Sequence, residues 1–297
     1  MKLLSRMKLM SGRFKRNPIT KDRPIKAMLK YIIFNILCRL KKEVNHTGIG
    51  GLKFKISKGD AGLVGNVYFG VYEINESMFA VHFLRKDDTF LDVGANLGHY
   101  SLLASGLTQA NSITVEPIPS TFAKLMEQIK INDLSTTITA LNIGLSDSVS
   151  ELYFSNDDSD MNCIVTSEYP NAIIVPVSTI DTICKNETIS LMKIDVEGYE
   201  KHVINGARET LSNLSLKALI VELNTSGVKY GITDEEVYNQ LLSYGFLPYE
   251  YKPLTREILP LESYNKKQFN TIFIRDLEYV TQRIITTKKY SVWGKEI

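Results

Sequence analysis

Acidic side chains stand at the ends of several apolar runs in the sequence, where a bound ligand would meet them. Asp92 lies at the end of one such run, Glu116 directly follows the next, and Asp195 ends a later one. Short apolar runs bounded by turn residues are typical of buried strands. In open α/β sheets, ligands bind beyond the carboxyl ends of the strands, at the point where the strand order reverses. We therefore predict that these carboxylates border one cleft.

A glycine turn follows the first of these strands and leads into a helix. Its pattern is Asp-x-Gly-x-Asn-x-Gly, formed by Asp92, Gly94, Asn96 and Gly98. The glycines would let a ligand approach the backbone, and the start of the helix would offer unpaired N–H groups. An acid at the strand end repels phosphate, so the pattern differs in its chemistry from the Gly-x-Gly-x-x-Gly turn that holds a pyrophosphate. A cationic or hydroxyl-rich ligand, such as a sulfonium nucleoside, is favoured.

Two further segments are predicted to complete this binding site. Glu116 follows the glycine turn by about 20 positions, the separation at which an acid holds ribose hydroxyls in such folds. Pro117 comes directly after it, at the same edge. A third strand leads into the segment that contains Ser146 and Asp147, which would face an adenine. Asp147 could equally cap a turn, as Asp often does, and the two interpretations stay open.

Alternation of buried strands with amphipathic helices predicts a doubly wound α/β fold around these residues. Thr233 and Glu236 have the spacing of a capping box at the start of one helix. Phe246 to Tyr251 and Phe269 to Ile274 are predicted to form a closing antiparallel pair. The first main strand is predicted to begin at Thr89. The others are predicted at Ser112 to Val115, Thr136 to Ile143, Ser190 to Asp195 and Lys217 to Glu222.

Composition excludes few classes of function. The 297 residues are 44% hydrophobic and 23% charged with a formal net charge of +2, so the overall balance demands no polyanionic partner. Cys38, Cys163 and Cys184 form no Cys-x-x-Cys pair, and the four histidines have no metal-ligand spacing. These features predict neither a zinc site nor a disulfide framework. They favour a reducing, cytoplasmic location.

The first fifty residues form a strongly basic arm. Its most apolar stretch, Ala27 to Leu40, is interrupted by Lys30 and Arg39 and is shorter than the roughly 20 apolar residues of a spanning helix. It also lacks the features of a signal peptide. Apolar residues spaced by three and four from Ile25 to Leu40 predict an amphipathic helix. We favour a helix that covers the catalytic domain, preceded by a disordered basic tail, while peripheral contact with anionic lipid stays open.

The chain is accordingly divided into four regions. The basic arm and its helix occupy residues 1–50, and a small β-rich lid segment is predicted at 51–88. The lid is expected to contain short strands at Lys53 to Ile56, Asn66 to Phe69 and around Val71 to Ile74, broken by glycines. The catalytic domain spans 89–276, and a C-terminal tail follows at 277–297.

Four motifs together resemble the FkbM family of methyltransferases. They are Leu91 to Tyr100, Val115 to Pro117, Gly144 to Asp147 and, most specifically, Lys193-Ile-Asp-Val-Glu-Gly-Tyr-Glu200. The resemblance implies a class I methyltransferase fold with a seven-stranded, mostly parallel sheet and an antiparallel C-terminal hairpin. It also implies S-adenosyl-L-methionine as methyl donor and a hydroxyl oxygen as acceptor. Members often act in polysaccharide or natural-product assembly, so the resemblance suggests a glycan or another small molecule as acceptor.

Methyl transfer to a neutral hydroxyl calls for a general base within hydrogen-bond reach of the acceptor. Asp195 and Glu197 rank first because they follow the strand nearest the expected methyl group, although Glu197 could equally stabilise a helix N-terminus. Lys193 shares a side of its strand with Asp195 and would orient that carboxylate or bind the acceptor. No metal is expected, although a Mg²⁺ held by Asp195, Glu197 and Glu222 is chemically conceivable. Three other candidates rank lower: His99 beside the donor, and Glu200 and His202 on a helix surface.

Two rival functions are weighed against this hypothesis. A nucleic-acid methyltransferase recruited by the basic arm would bind with steep salt dependence. However, the sequence has no Asn-Pro-Pro-Tyr-type element, and we expect no nucleic-acid partner. A non-catalytic, membrane-associated protein that retains the fold need not bind S-adenosylmethionine. The oligomeric state is left open.

Overall fold

The computed structural model describes residues 2–157 and 162–297. Strands and helices alternate through the middle of the chain, and helices dominate its first part. The helices are α1 (Lys2–Arg16), α2 (Pro24–Leu40), α3 (Ala61–Phe69), α4 (Ile74–Phe83), α5 (His99–Leu103), α6 (Pro119–Ile131), α7 (Ile180–Ile183), α8 (Glu200–Asn205), α9 (Arg208–Ser212), α10 (Asp234–Ser243) and α11 (Leu277–Thr286).

Most strands belong to one large sheet. The strands are β1 (Glu43–Thr47), β2 (Lys53–Ser57), β3 (Thr89–Val93), β4 (Asn111–Val115), β5 (Ile138–Leu141), β6 (Gly144–Leu145), β7 (Ser150–Phe154), β8 (Ile173–Ser178), β9 (Ile189–Ile194), β10 (Ala218–Glu222), β11 (Leu247–Lys252), β12 (Glu257–Pro260), β13 (Asn270–Ile274), β14 (Ser291–Val292) and β15 (Lys295–Glu296).

The large sheet has eight strands in the order β12-β11-β13-β10-β9-β3-β4-β5. β10, β9, β3, β4 and β5 pair in parallel, whereas β13 runs antiparallel to both β10 and β11. This is a doubly wound α/β fold whose strand order reverses between β3 and β9, as the sequence predicts. The predicted closing pair is β11 with β13. The sheet has eight strands and not the expected seven, because β12 (Glu257–Pro260) pairs with β11 and extends the edge.

Helices cover both faces of the sheet because both faces of its parallel strands are apolar. In β3, Phe90 belongs to the core under the arm, α4 and α6, whereas Leu91 belongs to the core under α8 and α10. The same alternation places Ile220 and Val221 of β10 in the two different cores. The predicted capping box at Thr233 and Glu236 starts α10, with both of its reciprocal hydrogen bonds formed.

The segment predicted as a β-rich lid is mostly helical. Only the predicted strand from Lys53 is present, as β2, and it pairs with β1. Asn66 to Phe69 lie in α3, and Ile74 begins α4. Gly65 does not break α3, because its missing Cβ leaves room for the Tyr72 ring, which a Cβ would meet at 2.3 Å. Tertiary packing therefore overrides the turn-forming tendency of the glycines that led to the strand prediction.

The expected disordered basic tail is also wrong over Lys2–Arg16, which form α1. This helix packs on α2 and buries Met10 and Phe14. A turn held by the Thr20 hydroxyl, which donates to the Phe14 carbonyl at 2.8 Å, connects it to α2. In residues 2–157 and 162–297, no helix is both long enough and apolar enough to cross a membrane.

Candidate active site

The carboxyl ends of β3 and β9 lie side by side at the point where the strand order reverses. Asp92 is the register partner of Lys193, and Val93 is the partner of Ile194. The loop after each strand therefore rises from the same place on the sheet edge. The backbone N–H of Asp195 donates to the Val93 carbonyl at 3.1 Å, which extends the pairing into the β9 loop. This arrangement places Asp92, Lys193 and Asp195 at one site.

The glycines of the first turn serve packing inside the protein. Gly94 has φ +76°, and a Cβ there would lie 1.8 Å from the Asp195 carbonyl oxygen. Gly98 has φ +81°, and its Cβ would meet Leu125 of α6 at 2.4 Å. Both positions demand glycine for backbone conformation and for close contact. Gly94 sets how near the two loops approach, which is a different reason from the ligand contact that the sequence suggests.

The N–H groups of this turn are already bonded within the protein. Gly94 and Ala95 donate to the Val115 carbonyl at 3.0 and 2.9 Å, and Gly98 donates to the Ala95 carbonyl at 2.8 Å. Asn96 N–H donates to the Glu116 carboxylate at 2.9 Å. These four N–H groups precede α5, whose start is where the sequence predicts unpaired N–H groups; there, Ser101 N–H donates to the Asp92 carboxylate at 3.1 Å. The turn offers no cradle for a phosphate, in agreement with the acid at the strand end.

Glu116 fastens the first turn to the loop after β4. Its two carboxylate oxygens accept hydrogen bonds from the backbone N–H groups of Asn96 and of Ile118, the latter at 3.0 Å. Burial raises the pKa of Glu116 to about 7, although both hydrogen bonds oppose the shift. Each oxygen of an ionised carboxylate can accept a further hydrogen bond, so Glu116 can also bind a ligand hydroxyl.

The first hollow lies beside Glu116 and has about 780 Å³ of empty space, which includes space open to solvent. Its walls are mostly apolar and come from the ends of β3 and β4, the β6 region and the small sheet of β6, β8 and β7. Such a hollow suits a flat, largely neutral ring with a polar group at its rim. Its apolar walls are formed by Val93, Val115, Ile118, Leu145, Phe154 and Ile164.

The second hollow adjoins the first and is polar. It has about 690 Å³ of empty space, again including space open to solvent, and shares Gly94, Asn96, Asp195 and Glu197 with the first hollow. Two residues from the start of α3, Ala61 and Gly62, form part of its wall. Its remaining polar groups are Tyr72, Glu73, Asp92, His99, Tyr100, Lys193 and Glu222.

Lys193 is the buried cation of the second hollow. Its Nζ lies 2.6 Å from Asp195 Oδ2 and 5.0 Å from the centre of the Tyr100 ring. Burial alone would lower the pKa of Lys193, but the charges of Asp195, Glu73 and Asp92 outweigh it and raise that pKa. Lys193 therefore stays protonated and holds the Asp195 carboxylate in one orientation, the arrangement that the spacing of the two residues predicts.

Three carboxyl groups meet beside this lysine. One oxygen of each of Asp195, Glu197 and Glu222 lies within 4.8 Å of the others. Burial and the adjacent Asp195, to which Glu222 is hydrogen-bonded, raise the pKa of Glu222 to about 9. Glu222 is therefore a neutral acid at pH 7 that donates to Asp195. The structure brings together the three residues considered as Mg²⁺ ligands, and Lys193 already places a positive charge against them.

Glu197 is held at the boundary between the two hollows in a strained conformation. Its φ is +53°, which is rare for a residue with a side chain, and Gly198 follows with φ +97°. Glu200 supports this loop by accepting hydrogen bonds from the N–H groups of Val196 and Gly198, each at 3.1 Å. The expectation that Glu200 lies on a helix surface is wrong, because its carboxylate is buried beneath the loop that carries Glu197. Strain of this kind occurs at functional sites.

His99 borders the second hollow as a neutral ring. The Asn66 side chain accepts from Tyr72 N–H, so its amide nitrogen faces His99 Nδ1 at 3.1 Å. The other ring nitrogen then donates to Ser77 Oγ at 2.8 Å. Burial lowers the pKa of His99 to about 3. With both nitrogens engaged, His99 is a poor candidate for a general base.

Comparison with known proteins assigns the family. The model of the methyltransferase FkbM domain matches residues 92–248, which is more than half of the chain and contains the β3, β4 and β9 loops. The chain belongs to the FkbM methyltransferase family. The matched region leaves out the basic arm, α3, α4, β13 and α11.

Two curated methyltransferases are similar to this FkbM protein. One is the hexuronic acid methyltransferase AglP of Haloferax volcanii, 27% identical over 176 residues that cover 58% of this chain and 69% of AglP. The other is the methyltransferase sdnD of Sordaria araneosa, 24% identical over 182 residues that cover 49% of this chain and 70% of sdnD. Among solved structures, the methyltransferase FkbM from Methylobacillus flagellatus matches with a TM-score of 0.45 and 16% identity. That match covers 64% of this chain and less than half, 44%, of the other.

Two of the residues predicted to bind the donor lie outside both hollows of the FkbM domain. The Ser146 N–H donates to the Ser178 carbonyl at 2.9 Å. The Asp147 carboxylate lies 2.9 Å from His202 Nδ1, and this hydrogen bond lowers the pKa of Asp147. Their neighbours Gly144 and Leu145 line the first hollow instead. His202 itself is partly exposed and stacks on Tyr199, as expected for a surface residue.

The other predicted residues are brought together. Gly94, Asn96, Glu116 and Pro117 line the first hollow, and Asp92 lines the second. Gly98 lines neither hollow. It is the N-cap residue of α5 and packs against Leu125 of α6. The sequence gives little signal for the groups that come from distant segments, because their role depends on tertiary packing. These unpredicted lining residues are Tyr72, Glu73, Tyr100, Phe154, Cys163 and Ile164.

Proposed function

We propose that this protein is an S-adenosylmethionine-dependent O-methyltransferase that transfers a methyl group to a sugar hydroxyl during assembly of a glycan. The observation that carries the proposal is the shared boundary of the two hollows. Gly94, Asn96, Asp195 and Glu197 line an apolar hollow on one side and a polar, acidic hollow on the other. A methyl donor in the first would therefore meet an acceptor in the second beside two carboxylates.

The residues present fit the donor. The first hollow has apolar walls for an adenine, and Glu116 stands at its rim with acceptor capacity for ribose hydroxyls. Asp92 accepts from the Ser101 N–H and hydroxyl through Oδ2, while its Oδ1 is buried and has no hydrogen-bond partner among the described residues. Asp92 lines the second hollow, so a donor with its adenosine in the first hollow would bring the ammonium group of its methionine end to Asp92 across the shared boundary at Gly94. S-adenosylmethionine, when bound, supplies a methyl group on a sulfonium, an electrophile that needs no activation by metal.

The chain itself aligns the acceptor and removes its proton. Asp195 and Glu197 are the proposed proton acceptors, because both stand at the boundary where the acceptor oxygen must lie. Lys193 and the neutral Glu222 acid hold Asp195 between two hydrogen bonds. Alignment of the acceptor oxygen and the methyl group would supply much of the acceleration.

A hydroxyl-bearing acceptor agrees with the charge of the second hollow. Five carboxyl groups, of which Glu222 is the neutral acid described above, face Lys193 as the one cation among the lining residues: Glu73, Asp92, Asp195, Glu197 and Glu222. Such a surface attracts hydroxyl donors and repels an added anion. AglP is named for a hexuronic acid, which supports a sugar as acceptor for this chain. The charge favours a hydroxyl of that sugar over its carboxylate.

Mass spectrometry with the full chain, S-adenosylmethionine and a panel of neutral and acidic oligosaccharides tests this proposal. We expect one oligosaccharide to gain the mass of a methylene group, and the location of the methyl group on oxygen to follow from fragmentation. Asp195→Asn should abolish the product, whereas Asp147→Asn, a carboxylate outside both hollows, should not. Methylation of a nucleic acid, or of a sugar carboxylate in place of a hydroxyl, would contradict the proposal.

A further inference from the structure

The outer face of α2 is an apolar stripe that nothing in the described chain covers. The stripe consists of Ile25, Leu29, Ile33, Ile36 and Leu40, which are spaced by three or four residues and so share one side of the helix. Their exposed fractions are 77%, 54%, 55%, 50% and 77%. Several large aliphatic side chains in one exposed row mark an interaction surface.

The opposite face of α2 is packed, so the stripe is presented rigidly. Ala27 and Phe34 are buried, and Phe34 makes an edge contact with Tyr68 of α3 at 5.6 Å between ring centres. Lys30 of α2 places its ammonium 4.4 Å from the centre of the Trp293 ring. Through these contacts the arm packs on α3 and on the C-terminal tail, and that it covers the catalytic domain at 89–276 stays a prediction. It packs with one face only and leaves a second apolar face outward.

The surroundings of the stripe are cationic. Arg39, Lys41 and Lys42 are exposed at its C-terminal end, and Lys26 is exposed beside Ile25. Asp22 is the one acidic residue between Met1 and Lys42. Its carboxylate is paired with Lys295 at 2.6 Å, and that contact lowers the pKa of Asp22. Residues 1–42 therefore present a positive surface whose single acid is paired with a lysine of the C-terminal tail.

We propose that the arm docks on a membrane surface rich in anionic lipid, with the stripe of α2 inserted at the level of the headgroups. An apolar face flanked by basic residues is the pattern of helices that lie in the interface plane. Anionic headgroups are attracted by each exposed lysine or arginine, and the stripe gains from burial in the acyl boundary. This proposal concerns a surface outside the active site and does not depend on the proposed reaction.

Docking there would hold the second hollow close to the membrane. The helix α3 packs against α2 through Tyr68, whose hydroxyl also lies 3.3 Å from Asn35 Nδ2. The other end of α3 contributes Ala61 and Gly62 to the wall of the second hollow. One helix therefore separates the docking face from the acceptor site, and an acceptor carried by a lipid would be within reach.

Flotation of the full chain with vesicles tests the proposal. We expect binding to vesicles of equimolar phosphatidylcholine and phosphatidylglycerol, at least about tenfold stronger than to phosphatidylcholine alone, and weakened by salt. Leu29→Glu with Ile33→Glu should reduce this binding by about tenfold or more, since two apolar side chains no longer insert. The matched control is Leu214→Glu, which is 71% exposed and follows α9 on the opposite face of the sheet, and it should bind like the parent.

Each alternative occupant of the stripe gives a distinct result. A second copy of the chain would appear as a dimer in analytical ultracentrifugation that Leu29→Glu dissociates, without vesicle binding. A nucleic acid would bind through the basic residues alone, so duplex DNA would bind the parent and the stripe variant equally. If the stripe variant proves unfolded by its melting transition, Arg39→Glu with Lys42→Glu takes its place, because neither side chain is buried. Equal vesicle binding by the parent and these variants, or none by the parent, would overturn the proposal.

Discussion

The two hollows of this FkbM protein meet at Asp195 but are built in opposite ways. The first has apolar walls from strand ends and the small sheet of β6, β8 and β7, with Glu116 as its acid. The second is lined by five carboxyl groups around one buried lysine. The first is therefore suited to bind a ring by shape, whereas the second controls protons and charge. Variants in the two hollows should therefore separate donor binding from turnover.

The largest effect is expected at the boundary, from Asp195→Asn. Loss of a proton acceptor should lower turnover by about 10²- to 10⁴-fold. Affinity for S-adenosylmethionine should change little, because the first hollow keeps its shape. Asparagine is the suitable replacement because Asp195→Ala would strip the buried Lys193 ammonium of its partner, a loss that costs about 3–5 kcal/mol in buried pairs. Turnover at saturating donor, with calorimetric affinity measured in parallel, tests this separation. A large loss of affinity with turnover intact would reverse the roles of the two hollows.

A smaller effect, on donor affinity and not on turnover, is expected from Glu116→Ala. It removes a charged acceptor for the ribose, and hydrogen bonds to charged groups contribute about 1.5–3 kcal/mol, or roughly ten- to hundredfold in affinity. Turnover at saturating donor should stay within a few-fold of the parent. The N–H groups of Asn96 and Ile118 also lose their acceptor, so the melting temperature should fall.

Calorimetry well below that melting temperature keeps the two effects of Glu116→Ala apart. Glu116→Gln retains an acceptor oxygen and should lie between the parent and the alanine variant in affinity. An unchanged affinity in Glu116→Ala, in a variant that remains folded, would remove Glu116 from the donor site.

A smaller, pH-dependent effect is expected from Glu222→Gln. The folded pKa of about 9 exceeds the ordinary value of 4.5, so the folded protein retains a proton that the unfolded chain loses. The parent should therefore lose stability from this group as the pH rises from about 4.5 to 9. Glutamine mimics the protonated acid and lacks this loss. The melting temperature of Glu222→Gln minus that of the parent should therefore be larger at pH 9 than at pH 5. The increase should be roughly 2 to 4 °C for each kcal/mol of stability that the parent loses.

Thermal unfolding of both proteins at those two pH values measures the Glu222→Gln effect. A difference in melting temperature that is the same at pH 5 and pH 9 would contradict a protonated Glu222 in the folded state. Asp276→Asn is a suitable control, because the Lys217 contact lowers the pKa of Asp276 below its ordinary 3.8, so its difference in melting temperature from the parent should be the same at pH 5 and pH 9.

The smallest effect is expected in the wall of the first hollow. Ile164→Ala should weaken donor binding by roughly fivefold, since about 1 kcal/mol of apolar contact is lost. Ile164 forms an isolated bridge with Phe154 of β7, whereas Ile174 lies in the neighbouring β8 and is 56% exposed, so Ile174→Ala is the matched control and should bind like the parent. Equal affinity of the two variants would show that Ile164 does not contact the donor.

The sequence predicted those parts of the site that depend on local pattern. Buried strands that end in acids are visible in it because strand and loop are adjacent in the chain, which located Asp92, Glu116 and Asp195. The spacing of Lys193 and Asp195 likewise foretold their contact, since residues two apart on a strand point the same way. The capping box of α10 was predicted for the same reason, as all of its groups lie within four residues.

The remaining features depend on contacts between distant segments. The glycines at 62, 65 and 70 predicted turns, but packing against Tyr72 keeps Gly65 inside a helix. Glu200 was assigned to the surface by helical position, yet it is buried because the loop at Val196 and Gly198 needs an acceptor. The edge strand β12 is short and, within the large sheet, pairs with β11 alone, so its own sequence did not predict it. Ser146 and Asp147 turn away from the hollow because β6 pairs with β8.

A crystal structure of the protein with S-adenosylhomocysteine tests the central claim most directly. We expect adenosine in the first hollow, with its ribose hydroxyls within hydrogen-bond distance of Glu116. The sulfur should lie at the boundary formed by Gly94 and Asp195. Adenosine bound beside Asp147 and His202, or in the acidic second hollow, would contradict it.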